Sequence, residues 1–169
     1  TFAQSGYSVK LIDISEKSID KGMATIAANL DRMVAKGAIT EDDKIKTINN
    51  IITYTDIKDG VVNCDLVVEA ATENVELKLN IFRQLNEVCD EKTILATNTS
   101  SISITQIAAV TTRQDKVIGM HFMNPVPVMK LVEIIRGYNT SDKVTKTIMD
   151  LSAKLDKVPV EVNDYPGFV

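Results

Sequence analysis

Apolar positions along the chain switch between short β-rich runs and stripes of helical period. Residues 8–14 place Val9, Leu11, Ile12 and Ile14 in one run after a glycine, which reads as a buried strand. Ile19, Met23, Ile26, Ala27, Leu30, Met33 and Val34 then recur at the spacing of an amphipathic helix, begun at Ser15 or a nearby acid and ended by Gly37. Thr40, followed by three acids, predicts the start of a second helix. Further strands are predicted at 51–55, 65–70, 93–98, 116–122, 131–135 and 158–162, and further helices at 75–88, 104–109 and 141–155. The helix at 75–88 is read with Leu77, Ile81, Phe82, Leu85 and Val88 as its apolar face. Residues 1–4 read as the last turn of a helix stopped by Gly6.

This alternation, with near-continuous apolar strands, predicts an α/β fold with one doubly wound, mainly parallel sheet covered on both faces. A short proline-bearing loop at 124–127 separates two of the later strands, which are therefore expected to be antiparallel. Pro159 assigns the last strand to an edge, because proline cannot donate to a ladder on both sides. A single domain is the expectation for 169 residues.

Charge and composition narrow the function classes. Nineteen Lys and Arg against 23 Asp and Glu give a net charge of −4, which argues against a partner held through nucleic-acid phosphates. No apolar run approaches the ~20 residues needed to cross a bilayer, so no membrane association is expected. Cys64 and Cys89 lack metal-ligand spacing, no metal is expected, and no signal-peptide pattern is present, so a reducing, cytoplasmic location is expected. The chain opens without Met and stops just after Pro166-Gly167, which reads as an internal piece of a longer protein.

The candidate chemistry gathers at strand ends, where doubly wound sheets bind ligands. Asp13 can accept the hydroxyl hydrogens of an adenosine ribose and would repel a 2′-phosphate, favouring NAD over NADP; it can equally cap the next helix. Its usual partner, G-x-G-x-x-G, does not occur in the sequence. Glu73 and Lys78 stand where a dinucleotide would run, or else form a solvated first helical turn. His121 is the only histidine, the residue type suited to proton transfer near neutral pH, although a lone histidine on an apolar strand also serves as a core residue. Glu133 interrupts the apolar run Leu131-Val132 and Ile134-Ile135, and a carboxylate there needs a partner. A reversal at 124–128 would bring it to His121; Lys130 and Arg136 are the other choices.

Asn98-Thr99-Ser100-Ser101, the stretch from Gly119 to Glu133, and Asp164-Tyr165-Pro166-Gly167-Phe168-Val169 resemble the 3-hydroxyacyl-CoA dehydrogenase family, and within it the compact bacterial 3-hydroxybutyryl-CoA dehydrogenases. The resemblance implies an NAD-binding Rossmann-type domain, with NADP as the alternative, followed by a helical domain that makes a homodimer or higher homo-oligomer. It implies reversible oxidation of an (S)-3-hydroxyacyl-CoA, such as 3-hydroxybutyryl-CoA, to the 3-ketoacyl-CoA in fatty-acid or butyrate metabolism. By position, His121 matches the general base, Glu133 the acid that orients it, Ser100 the donor to the substrate oxygen and Asn124 a supporting amide. Asp13, Glu73 and Lys78, with Ser100 and Asn124, match the cofactor side, and Asn29 and Lys36 fall near contacts to coenzyme A, where Lys36 either neutralises a phosphate or is simply a solvated helix end. The first strand with its glycine-rich loop, and the helical domain, are not in the chain, so this piece alone is expected to be inactive. Two alternatives stand beside this reading: a dehydrogenase of a β-hydroxy acid without coenzyme A, and a non-catalytic nucleotide-binding protein.

Overall fold

The computed structural model describes residues 1–165, which form two compact units, Thr1–Gly60 and the residues from Val61 onward. The terminal Pro166-Gly167-Phe168-Val169 lies outside the described residues.

In the first unit, β1 (Val9–Ile12) pairs in parallel with β2 (Ile51–Tyr54), in a register running from Val9 opposite Ile51 to Ile12 opposite Tyr54. The crossover between them is α1 (Glu16–Ala35) and α2 (Glu41–Asn49). Both helices begin where local chemistry dictates. Ser15 Oγ accepts the Ser18 amide at 3.2 Å. Thr40 and Asp43 close a capping box, each side chain accepting the other's amide, at 3.1 and 3.0 Å. The opening turn, Ala3–Ser5, ends on Gly6 at φ +86°, a conformation that favours glycine. A single-turn helix, α3 (Ile57–Gly60), follows β2; one turn is too short to leave a periodic trace. β1 is half-buried along its length rather than buried, because a two-stranded ladder gives it a neighbour on one side only.

The second unit is a five-stranded sheet in the order β3 (Leu66–Glu69), β4 (Ile94–Thr97), β5 (Val117–Phe122), β6 (Leu131–Arg136), β7 (Val158–Asn163). β5 and β6 are antiparallel and every other neighbouring pair is parallel; β7, with Pro159, is an edge as expected. Its helices are α4 (Val75–Val88), α5 (Ile104–Ala108) and α6 (Asp142–Lys154). Phe82, Leu85, Ile104, Ile107 and Ile148 from the helices close over Leu95, Ile118, Met120, Val132, Ile134 and Ile135, all 2% exposed or less. The fold is thus α/β with mainly parallel sheets. Among the described residues the ladders fall into two sheets, one of two strands and one of five.

The α4 face needs correction. Leu77 is 41% exposed, while Lys78 is 1% exposed and shares the buried stripe with Phe82, Leu85 and Cys89. The 78-82-85-89 spacing is as helical as the one built on Leu77, and the charge of Lys78 hides it from a pattern of apolar residues alone. Arg113 ends α4, donating to the carbonyls of Asn86, Cys89 and Asp90. No helix among the described residues is long and apolar enough to cross a membrane, and no group of three or more His, Cys, Asp or Glu there could hold a metal ion.

Two positions fix the packing around β5. A Cβ on Gly119 would lie 2.7 Å from Ile135 Cβ and 3.0 Å from Ile104 Cδ1, so the sheet admits only glycine there. Asp164, just after β7, receives the amides of Ile104 and Thr105 at 2.9 and 2.8 Å and the Ser103 hydroxyl at 2.8 Å. Burial acts to raise its pKa, but these hydrogen bonds outweigh it and hold the carboxyl below the ordinary range. Gly119→Ala should cost about 1–3 kcal/mol in urea unfolding, the usual price of overpacking a core. Asp164→Ala should cost about 1 kcal/mol near neutral pH, as loss of a helix cap does. Because the folded pKa lies below the unfolded value of roughly 3.9, that contribution is complete above it and fades as pH falls through the folded pKa. The stability gap between wild type and variant should therefore narrow in acid.

Candidate active site

The sheet register assembles the centre. In the antiparallel β5–β6 pair, His121 is directly opposite Glu133, so both side chains emerge on one face. Residues 123–130 reverse the chain between the two strands, with a turn in which the Val128 and Met129 amides bond to the Pro125 carbonyl at 2.9 and 3.0 Å. Glu133 Oε2 lies 2.8 Å from His121 Nδ1, and the two side chains are only 19% and 15% exposed. The cations that could have taken Glu133 are engaged elsewhere: Lys130 with Asp156, and Arg136 with Asp142 and Glu161.

A carboxylate can only accept, so the ring proton of a neutral His121 belongs on Nδ1 and the lone pair on Nε2. Ser100 Oγ sits 3.0 Å from Nε2 and donates to it. Ser100 reaches this position from the loop after β4. Asn98, at the start of that loop, accepts the Phe122 amide at 2.8 Å and so ties the ends of β4 and β5 together. The arrangement is a relay in which a carboxylate orients an imidazole and the imidazole presents a basic nitrogen to a hydroxyl.

The other expected residues divide. Glu73 lies beside the Ser100 loop: its Oε1 accepts the Thr99 hydroxyl, the Ser100 and Ser101 amides at 3.0 and 3.2 Å, and the Ser101 hydroxyl at 3.2 Å. Burial acts to raise its pKa; the Thr99 and Ser100 hydrogen bonds, the Lys78 charge and the Ser101 hydroxyl outweigh that and hold it below the carboxylate range. Lys78 is neither a solvated helix residue nor a surface cation. Its ammonium donates to both Glu69 oxygens at 2.8 and 3.0 Å and to the Ala71 carbonyl at 3.1 Å, and is thereby spent on protein acceptors. Removing one partner of such a sealed pair typically costs about 3–5 kcal/mol. Asn124 is exposed in the 123–130 loop. Lys157 pins that loop through the Val126 and Met129 carbonyls at 2.5 and 2.7 Å, with burial pushing its pKa down.

In the first unit, Asp13 follows β1 and is exposed, and one carboxylate oxygen accepts the Ile14 amide at 2.7 Å. The cap of α1 is Ser15, not Asp13. An exposed carboxylate at the carboxyl end of a parallel strand, unspent on the helix, suits a pair of ribose hydroxyls. Asn29 and Lys36 stand seven positions apart on α1 and at its cap; Asn29 accepts from Arg32 at 3.1 Å, and Lys36 is exposed.

The sequence singles out neither Glu69, Thr97 nor Lys157, and Thr99 only within the stretch 98–101. Glu69 carries the same signal as Glu133, an acid on an apolar strand that requires a partner. Nothing local ties Thr99 to Glu73, 26 residues away, or Lys157 to the carbonyls 28 and 31 residues away.

Residues 1–165 match the family described as 3-hydroxyacyl-CoA dehydrogenase, NAD binding domain. The whole chain is 46% identical to the 3-hydroxybutyryl-CoA dehydrogenase of Clostridioides difficile, covering 60% of that protein. It is 44% identical over 173 aligned residues to the mitochondrial hydroxyacyl-coenzyme A dehydrogenase of Rattus norvegicus, covering 99% of this chain and 55% of the relative. The crystal structure of (S)-3-hydroxybutyryl-CoA dehydrogenase from Ralstonia eutropha superimposes with a TM-score of 0.96 at 48% identity, over 99% of this chain and 59% of that one. The chain thus spans about 60% or less of the length of these relatives. With a family match over nearly its full length and the same fold in a solved relative, the chain belongs to the 3-hydroxyacyl-CoA dehydrogenase family, as its NAD-binding domain.

Proposed function

We propose that the full-length protein interconverts (S)-3-hydroxyacyl-CoA and 3-ketoacyl-CoA, with 3-hydroxybutyryl-CoA as substrate, and that this chain supplies its acid–base centre. The observation that carries the reading is the Ser100–His121–Glu133 relay, with Nε2 3.0 Å from a hydroxyl oxygen and Nδ1 2.8 Å from a carboxylate.

The substrate's 3-hydroxyl takes its place beside Nε2 and the Ser100 hydroxyl. As oxidation proceeds, its O–H bond breaks and an N–H bond forms at Nε2. The ring becomes cationic, and Glu133, bonded to Nδ1, balances that charge without taking the proton. In the reverse direction the imidazolium returns the proton to the forming alkoxide. With the substrate oxygen in place, the Ser100 hydroxyl turns from Nε2 to donate to that oxygen, and together with Asn124 it stabilises the developing charge while Nε2 takes the proton. NAD, when bound, supplies the acceptor for the carbon-3 hydride. Asp13 would hold its adenosine ribose. Lys36 neutralises a coenzyme A phosphate, with Asn29 two helical turns before it.

The test is reduction of acetoacetyl-CoA by NADH with the full-length protein. Wild type should turn over, and acetoacetate without coenzyme A should be a poor substrate; the opposite preference, or NADH binding without turnover, overturns the proposal. His121→Ala should lower kcat by about 10²–10⁴-fold, the usual worth of a general acid–base group. Glu133→Gln keeps the size and an acceptor but loses the charge, so it should lower kcat by less than His121→Ala and leave NADH affinity unchanged. Equal turnover by wild type and His121→Ala would remove the imidazole from the mechanism.

A further inference from the structure

We infer that Glu73 is a positioning residue for the proposed reaction, clamping residues 99–101 so that Ser100 Oγ stays within bonding distance of His121 Nε2. The inference rests on the function proposed above and adds a part to it.

One oxygen of Glu73 is committed to the protein, although the side chain is 41% exposed. That oxygen collects four donors from residues 99–101: the Thr99 and Ser101 hydroxyls and the Ser100 and Ser101 amides. The other lies 3.7 Å from the Lys78 ammonium. Four donors exceed the two lone pairs of one carboxylate oxygen, so the bonds are shared and the loop is drawn around a single point. Thr99 extends the clamp, since its hydroxyl oxygen accepts the Ile102 amide at 3.0 Å. Ser100 is thereby fixed through its own backbone, which leaves its hydroxyl for His121.

Glu73 is itself held from behind. It precedes Asn74, the residue that caps α4 by accepting the Leu77 amide at 2.9 Å. Upstream, Glu69 accepts the Ala71 amide at 2.6 Å, the Lys78 ammonium and the Thr97 hydroxyl at 2.7 Å, with the Lys78 and Glu69 side chains 1% and 3% exposed. The segment 70–74 therefore spans two fixed points, the buried Lys78–Glu69 pair and the first turn of α4. A rigid support of this kind is what a hydroxyl needs if it is to hold sub-ångström geometry, because a 1 Å misplacement can cost on the order of 10²-fold in rate.

The experiment uses Glu73→Ala, Glu73→Gln, Ser100→Ala and the Glu73→Ala/Ser100→Ala double variant in the full-length enzyme. It reads acetoacetyl-CoA reduction, NADH dissociation constant by fluorescence, and hydrogen exchange of the peptide spanning 98–103. Glu73→Ala should lower kcat on the order of ten-fold or more and speed exchange in that peptide. Glu73→Gln, which keeps an acceptor oxygen, should recover most of kcat. The double variant should be no slower than Ser100→Ala alone, because both changes remove one function. Unchanged exchange, fully additive losses, or weakened NADH binding with intact kcat would each overturn the inference. A wild type that does not reduce acetoacetyl-CoA would instead sink the function on which it rests, and the exchange readout would still report on the clamp.

Discussion

The site depends on one constraint: a carboxylate set in an apolar strand and largely withdrawn from water must be met by a donor. Glu133 occupies such a place on β6, and the antiparallel register meets the need by putting His121 opposite it. Everything chemical follows from that bond. It decides which ring nitrogen carries the proton, and so which nitrogen can receive one, and the Ser100 hydroxyl lies on that second nitrogen. Had β6 slipped by a single residue, Glu133 would have emerged on the opposite face and the imidazole would have lost its orientation.

The same rule operates a second time, on β3. Glu69 is sealed in at the strand end and meets Lys78 from α4, a lysine that takes a core position on the helix. Charges so deeply withdrawn are costly singly and tolerable only with their hydrogen bonds complete. Here they are complete: no buried side-chain nitrogen or oxygen among the described residues lacks a partner. One pair therefore sets the tautomer, and the other steadies the segment from which Glu73 reaches the Ser100 loop.

Rigid placement of loops recurs through the second unit. Asp164 grips the start of α5, Lys157 holds the 123–130 loop by two carbonyls, and Arg113 closes the end of α4. Each is a long-range bond from a charged side chain to backbone, the class of hydrogen bond that is both strong and directional. The strands supply the frame and these charges fix the loops between them.

The sequence by itself determined the elements and much of the chemistry. Helix starts at Ser15, Thr40 and Ser141 were legible because caps are local. His121 and Glu133 were legible because each is conspicuous where it stands, one as the only histidine and the other as an acid among aliphatics. Tertiary structure alone decided the rest. It chose His121 over Lys130 and Arg136 for Glu133, turned α4 so that Lys78 rather than Leu77 faces inward, and gave Glu73 to the Ser100 loop. The physical reason is one of range. Caps and periodicity are settled within a few residues of chain, whereas a buried charge or a strand edge takes whichever partner the packed chain brings near, and that partner's distance along the sequence leaves no local mark.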